Sequence, residues 1–467
     1  MNKVILINPV NYNRESLRPP FGLMVIAGMF KKNNVEVVWI DADVLKREQH
    51  KVMEKILENR DADLIAMGGM HTSYKSIKET CKGIGKLGID IPIIVGGRIA
   101  WALKHLLQSQ IPEVTMTCSQ EGEYVIDSIC ENWPNIENIK GISYRTKDNM
   151  FVQNKPAPLT KTLAEWPRLD WDMLHQRYFE QGSHIFYLAS VGCPFKCSFC
   201  RIVDSPAEKV KYLPSEVVIE DLAYLTKKHN KKAVLFVDDF FLVNKKRVRE
   251  FCEKFEESDL MGKVRWTGNS RVDAISEKSH DLLKFMKKTG CEALNFGFES
   301  GSIAVLKAMN KKTDLARAEF ALNAVRRTGI AVKGTFIFGH PGETFDTVRE
   351  TAEWRKKNKL GGGYFHVQPY PGSTLYNIFK MKYGIKTIED EENFILRGVS
   401  IKERNDFINF TTMPNEEYVA ADRWLTSKLS KIEQFTEKDI AQFFAEEENI
   451  TRAKIYKDLD EELADLI

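Results

Sequence analysis

Short β-rich apolar runs alternate along the first part of the chain with stretches whose apolar positions recur at helical spacing. The runs are Val4–Asn8, Val35–Asp41, Leu64–Gly69, Ile91–Gly97 and Val114–Ser119. Helical patterns lie between them at Leu23–Asn33, Gln49–Asn59, Ser73–Leu87 and Trp101–Ser109. Strands apolar at consecutive positions need cover on both faces, so the pattern predicts a parallel sheet with helices on each side. Five such units over residues 1–140 predict a flavodoxin-like, Rossmann-like α/β domain. Ligands in such sheets bind beyond the carboxyl ends of the strands.

The pattern then changes. Ile142–Arg145 and Met150–Gln153 flank the turn-like Thr146–Asn149, which predicts a hairpin. Prolines at 156, 158 and 167 interrupt regular structure, so 141–180 reads as a connector, with Trp166, Trp171 and Tyr178 packing the neighbouring domains together. From 181 to 380 six further strands are expected: Ile185–Val191, Ala233–Asp238, Val264–Asn269, Ala293–Glu299, Ala331–Phe338 and Gly363–Tyr370. Helices are expected at Ser215–Lys228, Lys245–Glu257, Glu277–Lys288, Leu315–Thr328 and Thr344–Asn358. Six strand–helix units are too few for a closed eight-stranded barrel. The tail, 381–467, is charge-rich and helical in pattern at Glu389–Glu392, Pro414–Leu429 and Thr436–Glu447. Its aromatic residues Phe407, Phe410, Tyr418 and Trp424 read as a small core of its own, with closure of the open side of the barrel over substrate as the alternative.

Composition narrows the class. The 467 residues are 43% hydrophobic and 28% charged with a net charge of +3, as in a soluble globular protein. There is no basic block, which argues against a dedicated nucleic-acid or membrane surface. No apolar run approaches the roughly 20 residues of a membrane span, and the N-terminus reads as a first strand and not as a signal peptide. Eight cysteines, three of them clustered, fit a reducing compartment better than a disulfide framework, so the expected location is cytoplasmic.

The clustered cysteines are Cys193, Cys197 and Cys200, within Val191-Gly192-Cys193-Pro194-Phe195-Lys196-Cys197-Ser198-Phe199-Cys200. Four thiolates normally hold the four irons of a cubane cluster. Three on one loop can hold three irons and leave the fourth open to a non-protein ligand. Buried thiols in an ordinary loop are the bland alternative, and a zinc site would need a fourth ligand nearby. The other five cysteines are scattered and read as packing. Polar groups gather at the predicted strand ends: Asp238, Asp239 and Asn244, then Arg271, then Glu299 and Ser300, then His340 and Glu343. Arginine offers a fork matched to a carboxylate, and the acids accept from ammonium or hydroxyl groups. In the first domain the corresponding loops carry Gly68-Gly69-Met70-His71-Thr72, Gly96-Gly97-Arg98 and Glu121-Gly122-Glu123. No P-loop of the form GxxxxGK[ST] occurs.

The spacing CxxxCxxC resembles the signature of the radical S-adenosylmethionine (radical SAM) enzymes. Pro20-Phe21-Gly22-Leu23, Gly96-Gly97 and Glu121-Gly122-Glu123 are similar to the subgroup with an N-terminal cobalamin (B12)-binding domain. The resemblance spans roughly 1–380 and implies a partial (β/α)6 radical SAM barrel followed by a helical C-terminal region. It implies a [4Fe-4S] cluster on Cys193, Cys197 and Cys200, and S-adenosyl-L-methionine (SAM) on Asp239, Arg271, Glu299 and Ser300. Cobalamin would lie against Gly69, His71, Thr72, Gly96, Gly97, Glu121 and Gly122. The DxHxxG motif that ligates cobalt from below in many cobalamin proteins is missing. The implied activity is methyl transfer to an unactivated carbon, or to phosphorus, of a small-molecule substrate, with an electron donor such as flavodoxin or ferredoxin. A radical SAM cyclase, oxidoreductase or rearrangement enzyme without methyl transfer is the alternative in the same class. A non-catalytic iron–sulfur electron carrier is the alternative outside it.

Overall fold

The fold follows from strands that have no polar face. In strand β1 (Lys3–Asn8), Val4 and Leu6 enter one buried cluster and Ile5 and Ile7 the other. Side chains alternate across a strand, so a run apolar at every position is stable only when both faces are covered. Each aliphatic side chain buried this way contributes about 1.5–3 kcal/mol. A computed structural model of the protein describes all residues except 13–15, 47, 119, 159–161, 181, 201–209, 362, 400–407 and 430–467. The helix expected at Thr436–Glu447 and the aromatic Phe407 lie outside the described residues.

After β1 come α1 (Phe21–Lys32), β2 (Glu36–Asp41), α2 (Gln49–Glu58), β3 (Leu64–Gly68), α3 (Tyr74–Lys86) and β4 (Ile93–Gly96). They are followed by α4 (Gly97–Leu103), α5 (His105–Gln110), β5 (Met116–Cys118), α6 (Ile126–Asn132), β6 (Ile142–Arg145) and β7 (Phe151–Gln153). The single helix expected at Trp101–Ser109 is two helices, parted at Lys104 where φ is 51°. The sheet order is β2-β1-β3-β4-β5-β6-β7, the flavodoxin-like order extended by an antiparallel hairpin. The hairpin is therefore part of this sheet, where its own sequence had suggested part of a connector.

The chain continues through α7 (Arg177–Glu180), β8 (His184–Tyr187), β9 (Ser190–Val191), β10 (Lys211–Tyr212), α8 (Ser215–Lys228), β11 (Ala233–Phe236) and α9 (Lys245–Glu256). Then follow β12 (Arg265–Ser270), α10 (His280–Lys288), β13 (Cys291–Glu299), α11 (Ile303–Ala308), α12 (Leu315–Arg326), β14 (Ala331–Phe338), α13 (Phe345–Lys357) and β15 (Tyr364–His366). The last helices are α14 (Thr374–Lys382), α15 (Ile388–Val399) and α16 (Asn415–Leu429). The barrel strands are ordered β15-β14-β13-β12-β11-β8, the six-stranded open sheet of a partial barrel.

Two compact units result. The first holds residues 1–195, 199–266 and 369–407; the second holds 196–198, 267–368 and 408 onward. In the first unit Phe236, Phe241, Phe251 and Trp266 stack edge to face behind β11. Helix α15 also belongs there: Ile395 enters the core beside Ile77 and Ile99, and Glu392 pairs with Lys78. In the second unit Phe298, Phe336 and Trp354 pack together. Arg355 lies 4.5 Å from the rings of both Phe336 and Tyr364. Asn244, which the sequence grouped with the polar rim, is the N-cap of α9 and accepts from Lys246 and Arg247 N–H.

Candidate functional site

In the first unit a cavity of about 490 Å³ opens at the carboxyl ends of β1, β3, β4 and β5. Its walls are the loops of Pro19–Leu23, Gly68–Met70, Gly96–Arg98 and Gln120–Glu123, and Leu188, Val191, Val237 and Asp239 also line it. Two glycines make that geometry possible. Gly97 has φ of +77°, and a Cβ there would lie 2.6 Å from the Gly69 carbonyl oxygen. A Cβ on Gly69 would lie 2.8 Å from that of Ser73. The loops after β3 and β4 are thus pressed backbone to backbone, with Ile99 N–H donating to the Gly69 carbonyl at 3.2 Å. This cradle leaves main chain, and no side chain, as its surface at these two points.

The charge in the cavity is mixed. Arg98 lies 5.0 Å above the ring of Trp101. Glu121 accepts from the Lys211 ammonium at 3.2 Å, and Lys211 also donates to the Tyr124 hydroxyl. Burial, with Glu121 nearby, pushes the Glu123 carboxyl up to about 7. At the edge of the cavity Asn8, Asp41 and Tyr178 form a closed triangle: Tyr178 donates to Asp41 at 2.9 Å and Asn8 donates to both. Tyr178 thus ties α7 to the sheet of its own unit.

Of the residues assigned to cobalamin by resemblance, Gly69, Gly96, Gly97, Glu121 and Gly122 line this cavity. His71 and Thr72 do not; both are buried, and the His71 ring meets Tyr370 edge-on at 4.6 Å.

The cysteine loop leaves β9 through Gly192, whose φ is 100°. Two consecutive carboxylates at the end of β11 anchor its entry. Asp239 accepts from Gly192 N–H at 3.1 Å. Asp238 accepts from Ala189 N–H at 2.9 Å and from the Ser190 hydroxyl. Complete burial raises Asp238 to about 6 despite the guanidinium of Arg247 nearby. Cys193 and Cys200 are half-buried and belong to this unit.

Cys197 is buried in the second unit. Its Sγ receives an N–H from Arg271 at 3.4 Å, while Arg271 also donates to Asp273 at 2.9 Å and to the Lys311 carbonyl at 2.7 Å. Ser198 N–H donates to the Met309 carbonyl at 2.9 Å and Asn310 donates to the Lys196 carbonyl at 2.6 Å, so α11 and its following turn hold the loop. Glu299 ends β13 at φ +67°, beside a register shift, and pairs with Lys311 at 2.6 Å. A buried non-glycine residue in that conformation is held by its surroundings, which function often explains. The Ser300 hydroxyl pairs with that of Thr351 at 3.0 Å and accepts from Ser302 N–H at 3.1 Å, a turn-fixing role.

Arg271 and Glu299 are therefore brought together through Lys311, which sequence reasoning passed over. No local pattern marks Lys311, since Glu299 is 12 residues upstream and Arg271, which donates to its carbonyl, is 40 residues upstream. Lys211 is hidden in the same way, with Glu121 and Tyr124 lying 90 and 87 residues upstream.

The Radical SAM superfamily model matches residues 187–355 and the B12 binding domain model matches residues 7–129. An uncharacterized methyltransferase of Pyrococcus horikoshii is 27% identical over 366 residues, 77% of this chain and 78% of its own. The anaerobic magnesium-protoporphyrin IX monomethyl ester cyclase of Cereibacter sphaeroides is 25% identical over 392 residues, 80% of this chain and 63% of its own. Among solved structures, the radical S-adenosylmethionine methyltransferase TsrM of Kitasatospora setae, with cobalamin and a [4Fe-4S] cluster bound, superposes with a TM-score of 0.68. That match is 18% identical and covers 83% of this chain and 76% of that one. Fold and cysteine loop thus define an enzyme of the Radical SAM superfamily. A B12 binding domain stands ahead of the Radical SAM domain in this chain. Its cofactors are a [4Fe-4S] cluster, SAM and cobalamin. The residues present fit them: a cradle whose glycines at 69 and 97 have no room for a Cβ, and a buried thiol facing a guanidinium. Among the described residues, no helix is long and apolar enough to cross a membrane.

Proposed function

We propose that this enzyme transfers a methyl group to an unactivated carbon, or to phosphorus, of a small-molecule substrate. The observation that carries the reading is the glycine cradle, which shares one cavity with Val191 and Asp239, the residues at the root of the cysteine loop. When bound, the cofactors supply radical generation from SAM and a transferable methyl group, and the protein supplies position and shelter. On this reading Cys193, Cys197 and Cys200 hold the cluster. Asp239, Arg271, Glu299 and Ser300 form the SAM side, and Gly69, Gly96, Gly97, Glu121 and Gly122 form the cobalamin side, with His71 and Thr72 behind them. Arg271 fixes the Cys197 sulfur, Asp239 fixes the turn at Gly192, and Lys311 holds the Glu299 carboxylate in place. The working division is 1–140, 141–180, 181–380 and 381–467. A labile cluster and clustered thiols support a cytoplasmic location and a flavodoxin- or ferredoxin-type donor. The relatives called methyltransferases support the methyl-transfer reading. The cyclase of Cereibacter sphaeroides supports the second reading, cyclisation or oxidation on the same architecture.

Anoxically reconstituted enzyme is incubated with methyl-labelled SAM, dithionite and candidate acceptors. Label in product together with S-adenosylhomocysteine supports methyl transfer. Turnover that yields 5′-deoxyadenosine and an unlabelled product selects the second reading. Failure to cleave SAM at all removes both.

A further inference from the structure

The segments bonded to the Cys197 loop carry exposed cations. Cys197 is buried, and its loop is bonded directly to the end of α11: Ser198 N–H to the Met309 carbonyl, and Asn310 Nδ2 to the Lys196 carbonyl. These two segments carry Lys196, Lys307, Lys312 and Arg317, all exposed, and Arg317 donates to the Asp273 carbonyl at 3.4 Å. Within 193–200 and 303–317 the only exposed acid is Asp314, and it is engaged in capping α12 through Arg317 N–H at 2.7 Å. Four exposed cations against one carboxylate is a local excess of three (4 − 1 = 3), although the 467-residue chain has a net charge of only +3. Ile303, 48% exposed, adds an apolar contact on the same short helix. Nothing in the cofactor shell explains these cations. The buried Lys311 between them turns inward to Glu299, and its neighbours Lys307 and Lys312 face water.

We propose that this face, α11 with the turn to Arg317 and Lys196, is the docking surface for an acidic one-electron carrier protein that reduces the cluster. The proposal rests on the cluster reading above and assigns its partner a place. Charge complementarity of this kind steers encounter and fixes orientation more than it adds raw affinity. Asn310 at the end of this face is bonded to the Lys196 carbonyl at 2.6 Å, so an acidic partner seated there would meet the loop one residue from Cys197. Lys307 and Lys312 are the residues to change, since neither touches Cys197, Arg271 or Glu299 in any hydrogen bond or ion pair described above.

The test compares two reductants on the intact, reconstituted enzyme. Cluster bleaching is followed by stopped-flow absorbance with photoreduced flavodoxin, an acidic carrier, and separately with dithionite, a small ion that needs no docking face. In the double variant Lys307→Glu/Lys312→Glu, reduction by flavodoxin should slow about tenfold or more at low salt, within the range steering supplies. Wild-type rates with flavodoxin should fall steeply as ionic strength rises towards 0.15 M, where screening acts over about 8 Å. Dithionite reduction and its SAM cleavage should be the same in both proteins, which also shows that the variant is folded and loaded. Equal flavodoxin rates for wild type and variant overturn the proposal, as does a wild-type rate indifferent to salt. Wild type that dithionite reduces and flavodoxin does not also overturns it. No SAM cleavage with dithionite in wild type overturns the underlying cluster reading, a distinct failure.

Discussion

Replacing Gly97 by alanine tests the cradle most sharply. Gly97 sits at φ +77°, where an L-residue costs about 1–2 kcal/mol. The added Cβ would also lie 2.6 Å from the Gly69 carbonyl oxygen and 2.7 Å from its nitrogen, both backbone atoms that no rotamer can move aside. Overpacking of that kind costs about 1–3 kcal/mol. The sum is about 2–5 kcal/mol, a large part of the ~5–15 kcal/mol that holds a domain together. Gly88 is the control, since its φ is +64° and nothing lies within 4 Å of a Cβ there. Gly88→Ala should lose only the conformational part. Urea melts of both apo variants measure the costs, and equilibrium dialysis against hydroxocobalamin measures uptake. Gly97→Ala should lower corrinoid affinity tenfold or more, because the two loops must part to admit the methyl group. Should Gly97→Ala melt like Gly88→Ala and bind corrinoid as wild type does, the cradle argument is refuted.

Three further outcomes follow from the second unit. Lys311→Met leaves the Glu299 carboxylate buried without its cation and should cost about 3–5 kcal/mol by denaturant midpoint. The double change with Glu299→Met should recover most of that loss. Burial raises Glu343, which accepts from Gly339 and His340 N–H, to about 8. A carboxyl whose folded value lies above its ordinary 4.5 contributes stability that is fully present below 4.5 and lost as pH rises through about 8. Thermal melts should therefore decline between pH 5 and about 9, and Glu343→Gln should flatten that decline; a variant with the wild-type slope would disprove it. Arg271→Lys removes the guanidinium N–H from Cys197 Sγ and should make the cluster potential more negative, by about 59 mV per 1.4 kcal/mol of lost differential stabilisation. An EPR-monitored titration reads that shift, and an unchanged potential would show that Arg271 only packs.

Much of the site was visible as residue types at loop positions, and much less as contacts. Cys193, Cys197 and Cys200 declare themselves because one loop has to present several thiolates, so their spacing is local. Glycines at 69 and 97 were visible as glycines, but the reason for them is the approach of two loops 28 residues apart (97 − 69 = 28). Asp239 and Ser300 were read as ligand contacts, and in the fold each also has a backbone to hold, at Gly192 and Ser302. The hairpin at 142–153 was recognised as a hairpin, yet only pairing with β5 shows which sheet it joins. Likewise α15 belongs to the tail by sequence, and its Ile395 enters the buried cluster that holds Ile77.

By itself the sequence determined the elements and the thiol loop, because periodicity, capping and short spacings act within a few residues of one another. The tertiary structure decided the partners: which glycine backs onto which carbonyl, and which cation meets Cys197 and Glu299. Those contacts join residues far apart in the chain, and their energies depend on burial, which no single stretch of sequence contains.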